Sequence, residues 1–177
     1  SRKSQTYSNF NDFMYNLSYW SSWSNGFNIW KSEFDKIDKN LKLNKLFPHT
    51  SLFLTQHQAK LFCINDNLLF DVQRIPKRGG HNKFEAFTIE YPSLLDECCK
   101  KGHISTKCKK HILFGIMVQF LPSLLFNKYI IRIETFDDTG FRNNLKKYYP
   151  SYAYWLVLIS VLGVPFRLFC RKLKNKR

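Results

Sequence analysis

The chain has 177 residues and a mass of 21.2 kDa, the size of one domain or of a small domain with an appendage. Hydrophobic residues make up 44% and aromatics 17%, which excludes compositional disorder, and a mean hydropathy of -0.35 excludes a polytopic transporter. Lys and Arg number 28 against 13 Asp and Glu, so the net charge of +15 restricts partners to nucleic acid, anionic lipid or an acidic protein surface.

From Phe10 onward large apolar residues fall at Phe10, Phe13, Leu17, Trp20, Trp23, Phe27, Trp30, Phe34, Ile37 and Leu41, steps of three and four that place them on one helical face. Asn25-Gly26 interrupts the series, so the pattern predicts two helices, over 9–24 and 27–41. Such a stripe packs against a sheet, or lies in a membrane interface where indoles favour the headgroup level. From Pro48 to Tyr91 the period changes to two. Leu68, Phe70 and Val72 alternate with Leu69, Asp71 and Gln73, as Phe87, Ile89 and Tyr91 do with Ala86, Thr88 and Glu90, and 51–55 and 60–64 fit the same pattern, predicting a meander of three or four antiparallel strands. Residues 76–82 read as a hairpin loop.

The apolar run 112–126 reads as a second membrane span or as a core helix, and the core helix is favoured because Gln119 and Pro122 interrupt the run and Lys128 ends it early. Residues 129–135 alternate like a strand. Asp137-Asp138-Thr139 carries the short oxygen-bearing side chains of a helix start, with Phe141, Leu145 and Tyr148 turned inward. The segment from Tyr152 to Phe166 holds no charge, and with Arg167 to Phe169 it spans about 27 Å as a helix. That is marginal for a hydrocarbon core of about 30 Å, but the flanks favour a membrane. Tyr152 and Trp155 are interfacial anchors, Leu156, Leu158 and Val161 form the apolar body, and Arg167 is expected to snorkel toward the five cations that close the chain. In a spanning arrangement this tail lies on the cytoplasmic or matrix side. The bland alternative is a buried helix kinked at Pro165.

The fold class is therefore α+β, in three segments: aromatic amphipathic helices over 1–47, a small α+β domain with an antiparallel sheet over 48–150, and a hydrophobic membrane helix with a basic tail over 151–177. All acidic residues lie before position 152, so the tail is a separate electrostatic object.

Five cysteines, an odd number without a secreted framework spacing, read as reduced thiols. Around them Cys98, His103 and Cys108, with Gly102 before the histidine, follow the last three ligand positions of C-x2-C-x4-H-x4-C. In this the stretch resembles the later part of a retroviral-type zinc knuckle, which implies zinc. Leu95 stands at the first ligand position, and a structural site needs all four donors, so the residues by themselves read as a lysine-rich loop with no cofactor. Lys77, Arg78 and Lys83 around Gly79-Gly80, together with Lys100 and Lys101, offer charge and free backbone N–H groups for an anion or a lipid headgroup. The excess of Lys over Arg favours diffuse charge over bidentate recognition. Asn16-Leu17-Ser18 is a glycosylation sequon that matters only on a lumenal face.

Neither a phosphate-binding glycine loop nor H-E-x-x-H nor G-x-S-x-G occurs, so no constellation assigns a reaction or a small-molecule substrate. Residues 1–11 contain Arg2 and Lys3 and no acid, which suits the remainder of an organellar presequence. Together these features predict a non-catalytic, membrane-anchored accessory subunit of a larger assembly, contacting its other subunits and anionic lipid, with the mitochondrial inner membrane favoured over endomembranes. The rival expectation is an RNA-binding component such as an organellar ribosomal protein.

Overall fold

The computed structural model describes residues 4–23, 28–65 and 82–174, with side chains described as far as Cys170. The protein is α+β, mostly helical, with one small antiparallel sheet. The chain divides into two compact units, one holding the described residues of 1–73 with 90–113, the other those of 74–89 with 114–177.

In the first unit, β1 (Ser4–Tyr7) pairs antiparallel with β2 (Phe62–Asn65), Ser4 opposite Asn65 and Tyr7 opposite Phe62. The expected strand at 60–64 thus exists, but it pairs with the N-terminus, and the expected strand at 68–72 and loop residues 76–81 lie outside the described residues. Helix α1 (Phe10–Leu17) starts where the Asn9 side chain accepts the Asp12 N–H at 3.1 Å, and it buries Phe10, Phe13 and Met14. It stops well short of residue 24. Ser18 takes a positive φ of 55°, and Ser21 and Ser22 bond back to the carbonyls of Ser18 and Tyr19, an alternative to the α-helical ladder that gives a 3-10 turn over Ser18–Ser22. The second expected helix is one turn, α2 (Lys31–Phe34).

The strand expected at 51–55 is also a helix, α3 (Pro48–Leu54). Proline at the first helical position is preorganised for it, and Asn44 Oδ1 accepts the N–H groups of Leu46 and Phe47 just before. The core of this unit is aromatic: Phe13 stacks on Phe62 with centroids 5.0 Å apart, and Phe10 meets Phe62 and Phe53 at 5.4 and 6.1 Å. The hydroxyl of fully buried Tyr91 meets Ser21 Oγ at 2.5 Å, which satisfies both.

The strand expected around 87–91 is a π-helical turn, Ala86–Glu90, between α4 (Lys83–Glu85), capped by Asn82, and α5 (Tyr91–Lys100). The same insertion recurs as Ile116–Phe120 between α6 (Thr106–Gly115) and α7 (Leu121–Leu125). Each of these two π turns is followed two residues later by a proline, Pro92 or Pro122, whose missing N–H deprives the carbonyl four residues back of its α-helical donor. A third π turn, Phe126–Ile130, continues α7. Thr106–Ile130 is in all 25 helical residues, long and apolar enough to cross a membrane, but Ile112, Ile116 and Leu121 are wholly enclosed by protein. Residues 131–138 then run without regular structure, so the alternation at 129–135 is not a strand, and Tyr129, Ile130 and Ile131 are exposed.

In the second unit, Asp137 Oδ1 accepts the Thr139 N–H and hydroxyl, making a local turn where a helix cap was expected. Left-handed Gly140 (φ 76°) then opens α8 (Phe141–Leu145). Phe141 and Leu145 are buried as the spacing predicts. Tyr149 takes the inward place expected of half-buried Tyr148, its hydroxyl donating to the Phe87 carbonyl at 2.7 Å.

The C-terminal segment is two helices. Helix α9 (Ala153–Leu162) and α10 (Val164–Lys174) meet at a 49° bend. The break falls at Gly163, one residue into the region where Pro165 cannot donate to the Val161 carbonyl. Ala153, Val157 and Val164 are buried, with α9 packed on α7 and the Ile116–Phe120 turn. Arg167 holds this junction. Its guanidinium donates to the Val118 carbonyl, the one Pro122 leaves without an α-helical donor, and to the Ser160 carbonyl at 3.4 Å. The expectation that Arg167 reaches toward the tail is thereby corrected: it turns inward, onto a carbonyl whose α-helical donor Pro122 removes. Replacing Arg167 with Met is expected to lower unfolding free energy by about 1.5–3 kcal/mol, the range for a charge-assisted bond, with Arg167→Lys intermediate. Urea denaturation checks this, and an unchanged midpoint in Arg167→Met contradicts it.

Candidate functional site

The strongest surface feature is an apolar stripe along α9 and α10. Trp155, Ile159, Leu162, Phe166 and Phe169 recur at steps of four and three, one helical face. All five are exposed, Ile159 by 66%, Leu162 by 81% and Phe166 by 71%. Tyr152 and Leu168 add to the exposed apolar surface. Of the anchor residues expected from sequence, Tyr152 and Trp155 lie on the outward side, while Leu156, Leu158 and Val161 are half-buried at its flanks. Helix α9 is therefore apolar all round, with its inward face (Ala153, Val157) covered by protein and its outward face open. Arg142 stacks over Tyr154 at 5.2 Å, near the start of the stripe.

The expected anion-binding group is divided between the two units and only partly included in the described residues. Lys77 and Arg78 lie outside them. Lys83 pairs with Glu134 at 3.3 Å and sits over the Phe136 ring. Lys100 and Lys109 share Asp96, at 2.9 and 2.7 Å, and hold its carboxyl below the usual carboxylate range. Lys101 is exposed. Moreover, Lys83 belongs to one compact unit and Lys100 and Lys101 to the other.

The zinc-knuckle residues serve the core. Cys98 and Cys108 are buried, and burial pushes their thiols up to about 11 and about 12. His103 instead stacks on His57, centroids 3.5 Å apart and planes 12° from parallel. Among the described residues no three His, Cys, Asp or Glu side chains converge on a metal position. The spacing that resembles a knuckle belongs to the end of α5, a turn through left-handed Gly102, and the start of α6.

That histidine pair lies on an open cleft of about 770 Å³ in the first unit, lined also by Asn9, Asp12, Cys99 and Ser105. The Ser105 N–H donates to Asn11 Oδ1 at 2.7 Å, tying the turn after α5 to α1. His57 Nδ1 is buried without a hydrogen-bond partner among the described residues. Cys99 contacts only the Thr106 hydroxyl at 3.7 Å among them, so no nucleophile in the cleft is seen paired with a base. Sequence reasoning missed this pair because the two rings lie 46 positions apart and the spacing around His103 points to Cys98 and Cys108, not to His57.

Comparisons of the chain with protein-family models, curated proteins and solved structures find no match.

His103 provides a pH prediction. Burial, then the neighbouring His57 and Lys101, lowers its basicity below the ordinary 6.5, so the folded chain binds fewer protons there than the unfolded chain. The stability this neutral ring confers is complete above 6.5, begins to be lost as pH falls below that value, and is lost in full once pH has fallen through the lowered value of the folded ring. The lowered carboxyls of Asp96, Asp137 and Asp138 contribute a separate loss only below about 4. Melting temperature is thus expected to drop between pH 7.5 and 5.5, less steeply in His103→Gln; equal slopes in parent and variant contradict the assignment.

Proposed function

We propose that the chain is a non-catalytic, membrane-attached accessory protein of a larger assembly, bound to the bilayer through the outward face of α9 and α10. The observation that carries this reading is the continuous exposed stripe from Trp155 to Phe169. Burying one large apolar side chain is worth roughly 1.5–3 kcal/mol, whereas a cation near an anionic surface contributes about 1 kcal/mol. The stripe is the main source of attachment, and the basic tail adds to it. Aromatic Tyr152 and Trp155 at its beginning suit the headgroup level. The free state of all five cysteines suits a reducing compartment, and with the high positive charge it supports the mitochondrial inner membrane as the site. An RNA-binding role is less well supported, since it needs cations where α9 presents Trp155, Ile159 and Leu162.

Flotation of the full chain with lipid vesicles tests this. The parent is expected to float with the lipid in the presence of RNase. The double variant Ile159→Asp with Leu162→Asp should lose at least roughly tenfold in partitioning, by the area its two side chains withdraw from lipid. Leu61→Asp, an equally exposed apolar position in the other unit, should float like the parent. A parent that remains with the unbound protein, or a double variant that floats unchanged, overturns the reading.

A further inference from the structure

The bend decides how such a chain meets a bilayer. Helices α9 and α10 have 10 and 11 residues, about 15 and 17 Å, each roughly half of a hydrocarbon core about 30 Å thick. They are set 49° apart at Gly163, and two things oppose straightening: Pro165 has no N–H to restore the ladder, and Arg167 is tied to the Val118 and Ser160 carbonyls. The inward side, Ala153, Val157 and Val164, is covered by the protein's own helices, so lipid cannot surround the pair. The outward stripe nevertheless runs through the bend without changing face, from Leu162 to Phe166. With protein covering its inner side, the pair offers lipid only its outer apolar face, as an amphipathic helix does when it lies along the interface with that side sunk about 5–10 Å.

Charge identifies the surface. No Asp or Glu follows Asp138, whereas Arg142, Lys146 and Lys147 precede the stripe and five further cations close the chain. Cations at both ends of an in-plane helix, unopposed by acid, complement an anionic leaflet.

Building on the membrane reading above, we infer that α9 and α10 form a bent, in-plane anchor in one leaflet of an anionic bilayer, entering and leaving on the same side. Lys147, just before α9, and the closing tail both face the same aqueous compartment. The pair holds the second unit at the surface without crossing.

The test uses the full chain with Cys170→Ser, Lys147→Cys and Lys176→Cys, reconstituted by detergent removal into sealed phosphatidylcholine vesicles with about 30% phosphatidylglycerol. An impermeant maleimide is added outside. Cleavage at Met117 then releases residues 118–177, whose only thiols are the two introduced. An in-plane anchor yields fragments with both labels or neither, whatever the orientation of the protein. Fragments with one label each, complete only after detergent, mean that the segment crosses, which overturns the inference while leaving membrane attachment standing. Failure of the protein to associate with any vesicle sinks both. On pure phosphatidylcholine, partitioning should fall by at least roughly tenfold at low salt; equal partitioning overturns the anionic assignment.

Discussion

The bond from Arg167 to the Val118 carbonyl is the constraint on which the C-terminal architecture turns. Pro122 removes the donor that carbonyl would have in an unbroken helix, and the preceding π turn widens the backbone at the same place. An arginine from another helix makes good the deficit. In doing so it spends the one charge of the apolar segment on the inner side of α10 and bridges to Ser160 across the break between α9 and α10. The outer side is left apolar from Trp155 to Phe169. A flaw in one helix, a bend in another and an uninterrupted lipid-facing stripe are thus parts of one arrangement, and the positive charge that would have spoiled the stripe is what holds it in shape.

The elements that could be read from the sequence were those whose signal is chemical as well as periodic. Asn9 ahead of Phe10, Phe13 and Met14 marks a helix start, and Phe62–Asn65 is a strand where alternation predicts one. Period-two patterns misled at 51–55 and 87–91 because five residues of alternation are too short a window to outweigh the helix-start chemistry beside them. There Pro48, Asn82 and Pro92 were the better guides. A proline following an apolar helical stretch, at 92 and again at 122, marks a π turn here. The long 9–24 helix failed because serine hydroxyls at 21 and 22 offer the backbone other bonds. The partner of β2 lies more than fifty residues away, at Ser4–Tyr7, and nothing local announces it.

The candidate site was legible in its composition and illegible in its direction. An uncharged aromatic-flanked run announces an apolar surface, but which residues face outward depends on α7 and the Ile116–Phe120 turn packing against Ala153 and Val157. Arg167 looks the same in sequence whether it reaches toward solvent or into the fold; in the structure it turns in to the Val118 and Ser160 carbonyls. The knuckle-like spacing of Cys98, His103 and Cys108 arises from a helix–turn–helix whose cysteines face the core, where desolvation keeps them neutral. Formal charge likewise overstates the surface, because Lys83, Lys100, Lys109 and Lys128 are each held by a carboxylate.

The most direct measurement of lipid contact by the stripe is the depth of Trp155 in a bilayer, read by quenching with brominated lipids in a chain whose Trp20, Trp23 and Trp30 are replaced by Phe. The account predicts strong quenching by bromines near the headgroup end of the acyl chain and weak quenching near its methyl end. An indole emission unchanged by either lipid, with the protein bound to the vesicles, contradicts it.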